Sequence, residues 1–451
     1  MYAINRNIQK NAPLTETEII IDQIKSFRNS AVYKNMISGL NYYNGKQDIL
    51  NKQRWGIGRD GMLIVLDKLP NNKIVDNKYE GAINLKQSYL VGKPITYKSK
   101  LGVDYDNIFN AKFQLILNDL VYYILNCGVG YIYPYISNGE LKFKVFDSST
   151  IIPMYDNYDE ENLTGFIRTI EIVENIAGYN TKAEIVEYYT INGMKKYKYQ
   201  NTTLQFIEEI PYVTRGNKAL SWGKIPLIQF KYNKENIPLI SNVKSIQDAI
   251  NTTISTFQDM LQQNLNNTIL VLKDYDGTDL GEFRQNLNQF GSVKVMGSGD
   301  LSTLQIELNK ENYESILGIF KQMFIKNAKM VDFDTLHAGQ LTNLNIQSLF
   351  LELENDTQKI EMYTKSSLEE LTYFVNVFTG KNDVIDFMFN KDQLFSETEV
   401  INNCRNSVGI ISNETIVNNH PWVNNFEEEL EKVKKEQETE IDKYLNTNEE
   451  A

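Results

Sequence analysis

The chain of 451 residues contains only two cysteines and two histidines. Cys127 and Cys404 lie far apart and form no C-x-x-C pair, and His337 and His420 are likewise separated. Structural zinc, a disulfide framework and a histidine-based triad therefore lack their raw material. So few thiols suit a reducing compartment. No continuous apolar run is long enough for a conventional transmembrane helix. Met1–Lys10 has no apolar stretch behind a basic start, so no signal peptide is expected. The phosphate-cradling pattern G-x-x-x-x-G-K-[ST] is missing. Gly92-Lys93 is followed by Pro94, Gly223-Lys224 by Ile225 and Gly380-Lys381 by Asn382, which excludes ATP chemistry through a P-loop. Basic excess is also absent: 46 Lys and Arg face 58 Asp and Glu, a net charge of −12. A protein that coats nucleic acid with its general surface carries the opposite balance. No repeat of fixed period is visible.

What is present is ordinary for a folded chain: 42% hydrophobic and 23% charged residues, with many tyrosines and phenylalanines (27 and 21). The length allows about three domains and a sizeable core.

Thr15 and Glu18 have capping-box spacing, and Ile20, Ile24, Phe27 and Ala31 continue at helical spacing, predicting a helix over 15–38 that breaks at Asn41–Lys46. Further helices are expected at 78–91, stopping at Gly92, and at 109–127, stopping at Gly128. Cys127 lies on the apolar stripe of the latter and reads as a small buried hydrophobe. From 129 to 232 the period shortens to two. Residues 131–136 and 140–146 flank Ser137-Asn138-Gly139, a hairpin turn, and more strands are expected at 165–174, 183–190, 194–200, 204–210 and 225–232.

The helical period then returns. Val243, Ile246, Ile250, Ile254, Phe257, Leu261 and Leu265 form a narrow stripe over 241–267, opposite a face of Gln, Asn, Ser and Thr. That polar face suits a ring of subunits, a wet lumen or packing inside one chain. A β-containing insert follows, then a helix at 309–330, a break at Val331–Thr342 and a long helix at 344–378 ending at Gly380. Shorter helices are expected at 396–408 and 412–419, and Glu427 onward reads as a solvated charged helix.

Gly56-Ile57-Gly58-Arg59-Asp60-Gly61 satisfies G-x-G-x-x-G, but a dinucleotide site needs a strand before it and a helix after it. Met62–Leu66 looks like a strand, so a loop is the better reading. Asp274, Asp276, Asp279 and Glu282 resemble a calcium loop, yet Gly277 stands fourth and Glu282 ninth where the pattern needs Gly sixth and Glu twelfth. An exposed acidic loop is expected instead. His337 sits in a break between helices and His420 precedes Pro421, and neither has a partner in sequence. No arrangement supports catalysis, and no cofactor or metal is expected.

Nearly the whole chain resembles the portal proteins of tailed bacteriophages, in the branch represented by a long-tailed Bacillus phage. The resemblance is carried by Tyr42-Tyr43-Asn44-Gly45-Lys46, by Pro70–Asn77 leading to Ser88–Tyr97, by Ile151–Asp156, and by Gly223–Ile228. It closes with Gly409-Ile410-Ile411-Ser412 and His420-Pro421-Trp422-Val423. No one motif is decisive, but their order and spacing together are specific.

This resemblance implies an α+β portal fold assembled as a ring, usually of twelve copies, with no enzymatic activity. It implies an N-terminal arm and wing at 1–240, a first stem helix at 241–267, a clip at 268–308 and a second stem helix at 309–330. A tunnel loop would follow at 331–343, a long wing helix at 344–379 and a crown with the C-terminal tail at 380–451. Asp332, Asp334, His337 and Gln340 would face double-stranded DNA passing through the channel without tight binding. Asp274, Asp276, Asp279, Glu282 and Arg284 would lie in the clip, which receives the terminase large subunit and later the head–tail adaptor. Major capsid and scaffolding proteins would be further partners. The ring would sit at the portal vertex of the virion after assembly in the host cytoplasm, with no membrane involved. Another structural protein of the head–tail connector is the alternative. Twelve copies at −12 each would give a ring of −144. Such a field disfavours gripping DNA but not letting it pass.

Overall fold

The computed structural model describes residues 15–57, 61–67, 69–156, 162–176, 179–200, 202–215, 218–266, 269–273, 300–304, 310–336, 343–391, 397–423 and 429–436. Helices and antiparallel sheets share two adjoining cores, an α+β arrangement.

The chain opens with α1 (Glu16–Asn29) and α2 (Ala31–Tyr43). The capping box forms as expected: Glu18 N donates to Thr15 Oγ1 (3.4 Å) and Thr15 N to Glu18 Oε2 (2.8 Å). The single helix expected over 15–38 is divided at Ser30, whose hydroxyl donates to Phe27 O (2.6 Å) and accepts from Tyr33 N (3.1 Å). One side chain thus stops α1 and caps α2. The second helix runs through Tyr43, past the expected break, until Gly45 turns the chain at φ +73°.

A short ribbon follows, β1 (Trp55–Ile57) antiparallel to β2 (Leu63–Val65). Then come α3 (Lys78–Val91), β3 (Thr96–Ser99) and α4 (Ala111–Cys127). α4 ends at Gly128 with φ +79°, where a Cβ would lie 2.1 Å from Asn236 O, so only glycine fits.

Strands β4 (Val129–Ser137) and β5 (Glu140–Phe146) form the predicted hairpin, with Asn138 and Gly139 both at positive φ as a type I′ turn demands. β6 (Ile151–Tyr155), β7 (Leu163–Ile176), β8 (Tyr179–Tyr189), β9 (Gly193–Gln200) and β10 (Thr203–Pro211) make a five-stranded sheet in the order β10-β9-β8-β7-β6. Pro153 weakens any strand signal for β6, and it is tolerated because β6 is an edge. β11 (Val213–Arg215) and β12 (Lys218–Leu220) pair, and β13 (Ile228–Lys231) completes the order β13-β4-β5.

Next stand α5 (Ile240–Asn266), β14 (Ile269–Lys273), β15 (Asp300–Leu304) and α6 (Lys310–Ala328). A single turn, α7 (Phe333–Leu336), precedes the long α8 (Asn343–Thr379). β16 (Ile385–Met388) returns to pair with β3, and two short helices, Glu397–Asn406 and Asn413–Asn418, follow.

One core joins α3, α4, the β13-β4-β5 sheet, the first half of α5, the end of α6 and α8, through Phe113, Leu120, Phe230, Ile250, Phe324 and Leu371 among others. The second lies under the five-stranded sheet, against α1 and α2, through Ile24, Met36, Phe166 and Val186. Cys127 is fully buried there, and burial pushes its thiol well above the usual range, in keeping with a packing role.

Candidate functional site

α5 and α6 run antiparallel, with Phe257 and Tyr313 in ring contact (centroids 4.4 Å apart) and Tyr313 Oη reaching Met260 Sδ at 3.0 Å. Strands β14 and β15 continue the two helices as a paired ribbon, from Ile269 opposite Leu304 to Lys273 opposite Asp300. The insert expected at 268–308 therefore begins and ends in a closed two-stranded base. Asp274, Asp276, Asp279, Glu282 and Arg284 lie outside the described residues. Each helix is buried on one side and bare on another: Val243, Ile246, Ile250, Phe324 and Ala328 are buried, whereas Leu261, Ile316, Ile319 and Met323 are exposed.

The polar face of α5 settles inside the chain. Gln247, Asn251, Ser255 and Asp259, spaced by four, are all buried. Opposite them the segment 72–76 runs extended, and its alternate amides are read one by one. Asp76 N donates to Asn251 Oδ1 (3.0 Å), Ile74 N to Ser255 Oγ (2.9 Å) and Asn72 N to Asp259 Oδ1 (2.6 Å). Tyr79 N donates to Gln247 Oε1 (3.1 Å), and Gln247 Nε2 donates to Asp76 O (2.6 Å). The match is geometric: four helical residues rise about 6.0 Å and two extended residues about 6.6 Å. Asn251 Nδ2 also donates to Gln47 Oε1, and Lys52 Nζ to Asp259 Oδ2 at 2.8 Å. Burial opposes ionisation of Asp259, but its amide donors and Lys52 outweigh that and hold the carboxyl below its usual range. Of the three readings open to this face in sequence, packing within the chain is the one observed.

The other end of α6 leads into the expected channel-facing loop through a charged node. Lys329 adopts φ +52° and its ammonium donates to Asp356 Oδ1 of α8 at 2.8 Å. Asp356 Oδ2 accepts from Lys86 of α3 (2.7 Å) and from Tyr232 Oη (2.8 Å). Lys86 also reaches Lys329 O at 3.3 Å. Lys86 is 0% exposed, so this is a core lysine held by one carboxylate and one carbonyl. Burial lowers its pKa against the raising effect of Asp356. Burial alone would raise the pKa of Asp356, but the two ammonium groups and the tyrosine hydroxyl bring it below the carboxylate norm. Four distant stretches of chain meet on this one side chain.

Beyond the node Val331 is buried against Tyr89 and Leu353. Asp332 accepts from Gln322 Nε2 (3.0 Å) and from Asp334 N (3.1 Å), tying itself to α6 and to the first turn of α7. Asp334 is exposed. His337 and Gln340 lie outside the described residues, so of the four proposed channel residues only the two aspartates are placed.

Among the described residues, no group of three His, Cys, Asp or Glu is arranged to hold a metal ion. Gly56 lies in β1 and the chain returns in β2 rather than in a helix, the wrong context for a dinucleotide. His420 packs edge-on to Trp422 at 5.6 Å. An open surface cavity of about 880 Å³ beside β3 is lined by Tyr97, Asp104, Asp106 and Phe109 among others. There Tyr97 Oη lies 3.1 Å from Asp104 Oδ1 and 2.7 Å from Asp106 Oδ1. No described helix is long and apolar enough to cross a membrane.

Sequence comparison agrees with the architecture. The family described as "Phage portal protein, SPP1 Gp6-like" matches residues 23–443. The portal protein of Bacillus phage SPP1 is 28% identical over 433 residues, covering 89% of this chain and 83% of that one. The portal protein of Clostridium phage phiCD119 is 25% identical over 415 residues, covering 87% and 90%.

Proposed function

The chain belongs to the SPP1 Gp6-like phage portal protein family, and on that premise we propose that its copies close into a ring, usually of twelve, at one vertex of the capsid. The family is a structural one, and the function is that of a phage portal. Double-stranded DNA would enter through the central channel during packaging and leave through it at ejection. Residues 1–240 would form the arm and wing, α5 and α6 the stem, 268–308 the clip, 331–343 the tunnel loop, α8 the long wing helix and 380–451 the crown. The clip would receive the terminase large subunit and then the head–tail adaptor. Capsid and scaffolding proteins would contact the rest of the ring as it is built into the virion.

The observation that carries this reading is the family match across residues 23–443, nearly the whole chain. The helix pair supports it: Leu261, Ile316, Ile319 and Met323 are exposed apolar side chains along it, surface that a neighbouring copy would cover. Cryo-electron microscopy of the purified chain should show rings with an open axial pore. Assembled particles without a pore would overturn the proposal.

The loop itself supports loose passage of DNA. Val331–Thr342 contains no Lys or Arg, and each phosphate neutralised by a fixed cation adds affinity that sliding must break. Asp334→Lys is therefore expected to slow packaging several-fold, more at low salt than at high, while ring assembly is unchanged. Bulk packaging rates at two salt concentrations check this, and parental rates in the variant would remove Asp334 from the channel surface.

A further inference from the structure

The corner at the end of α6 stands where the sequence does not ask for one. From Ile319 to Ala338 there is no glycine and no proline, so no helix breaker separates α6 from the single turn α7. Val331 follows Phe324 by seven residues, which keeps it in line with the apolar side of α6 to within about 20°. Yet α6 stops at Ala328, and α7 opens only at Phe333.

The stop has the bonds of a Schellman cap. Lys329 N donates to Lys326 O (3.2 Å) and Met330 N to Ile325 O (2.9 Å). Such a cap puts one residue in the left-handed region, ordinarily a glycine, and here it is Lys329 at φ +52°. A lysine is strained there, and its compensation comes from outside the helix. Its ammonium donates to Asp356 Oδ1, and its carbonyl accepts from Lys86. Asp332 ties the far side of the bend, accepting from Gln322 Nε2 and from Asp334 N. In one straight helix Gln322 and Asp332 would stand about 15 Å apart, so that bond belongs to the bent form alone. Beyond the cap itself, then, side chains hold the bend. The Lys329 side chain is 40% exposed, and an ion pair so open to water returns little free energy. Strain and compensation are nearly matched.

We infer that residues 329–332 are a hinge ready to become helix: bent while Lys329 holds Asp356, and joining α6 to α7 as one helix when it lets go. On release Lys329 takes up right-handed backbone, its ammonium turns to water, and its carbonyl passes from Lys86 to the amide of Phe333. Lys86 keeps Asp356, so no buried charge is stranded. Asp334 then stands about 9 Å beyond Ala328 along the axis of α6. The hinge stands on this chain alone. On the ring reading above, the same step would shift the root of the proposed tunnel loop.

Hydrogen exchange of the full chain, read residue by residue, tests this. In the bent form the amides of Val331 and Phe333 have no acceptor among the described residues, whereas in the joined helix they donate to Asn327 O and Lys329 O. Lys329→Ala keeps the strain and loses the tie, so both amides should exchange at least threefold more slowly than in the parent. Lys329→Met, which retains the bulk, should do the same. Lys329→Gly also loses the tie, but glycine is at ease in the left-handed region and is a poor helix former. Its two amides should therefore keep the parental rates. A lysine that served only as an ion-pair partner would make the alanine and glycine variants behave alike. Equal rates in those two variants, or alanine and methionine variants no slower than the parent, would overturn the inference.

Discussion

Asp356→Ala is expected to lower the unfolding free energy by about 3–5 kcal/mol, the cost of leaving a buried charge without its partner. Lys86 is stranded by the change. Its side chain is 0% exposed, and the carboxylate at 2.7 Å is its only anionic neighbour among the described ion pairs. Lys329, 40% exposed along its side chain, can turn to water, so Lys329→Ala should cost under about 1 kcal/mol. Replacing both buried partners, as Lys86→Met with Asp356→Leu, should recover most of the loss because neither charge then needs solvation. Denaturant unfolding of the four proteins at neutral pH measures this. If Asp356→Ala costs no more than Lys329→Ala, the node is wet and the account fails.

The same node fixes the sign of a pH effect. Cations and the Tyr232 hydroxyl hold the folded carboxyl of Asp356 below its unfolded value, near pH 4. Its contribution is therefore complete above about pH 4 and is lost as pH falls through the lower folded value. Asp356→Ala should flatten that part of the acid limb of the stability curve.

Much of this fold is legible in sequence because local signals and tertiary packing agree. Gly128 ends α4 where it must, Asn138-Gly139 makes its turn, and the stripes of α5, α6 and α8 mark their helices. Where the sequence misleads, one side chain serves two masters. Ser30 falls inside the single helix expected over 15–38, yet its hydroxyl satisfies a carbonyl behind and an amide ahead. Pairings between distant stretches, such as β3 with β16, have no local signature at all.

The node left a faint trace: Lys86 interrupts the buried series Tyr79, Ile83, Leu90 on α3, and Asp356 interrupts Leu353 and Ile360 on α8. One charge of each sign on two apolar stripes is the pattern of a buried pair, though sequence cannot say which two stripes meet. The β1–β2 ribbon is harder still. Trp55–Val65 reads as a glycine motif before it reads as a ribbon, and exposure is a property of the folded chain alone.

The ladder on α5 gives the second large effect. Asp259→Leu is expected to cost about 2–3 kcal/mol, because the carboxylate accepts from Asn72 N, Asn72 Nδ2 and Lys52 Nζ at 2.6–2.8 Å in a site where water has little access. Lys52 retains 22% side-chain exposure and can be resolvated, so the loss falls chiefly on the Asn72 amide. Hydrogen exchange reads it directly: Asn72 and Ile74 amides should exchange about 30- to 150-fold faster, while amides of the α4 core stay protected. Asn251→Leu should act similarly on Asp76. The double variant should cost less than the sum, since both changes release the same strip of chain.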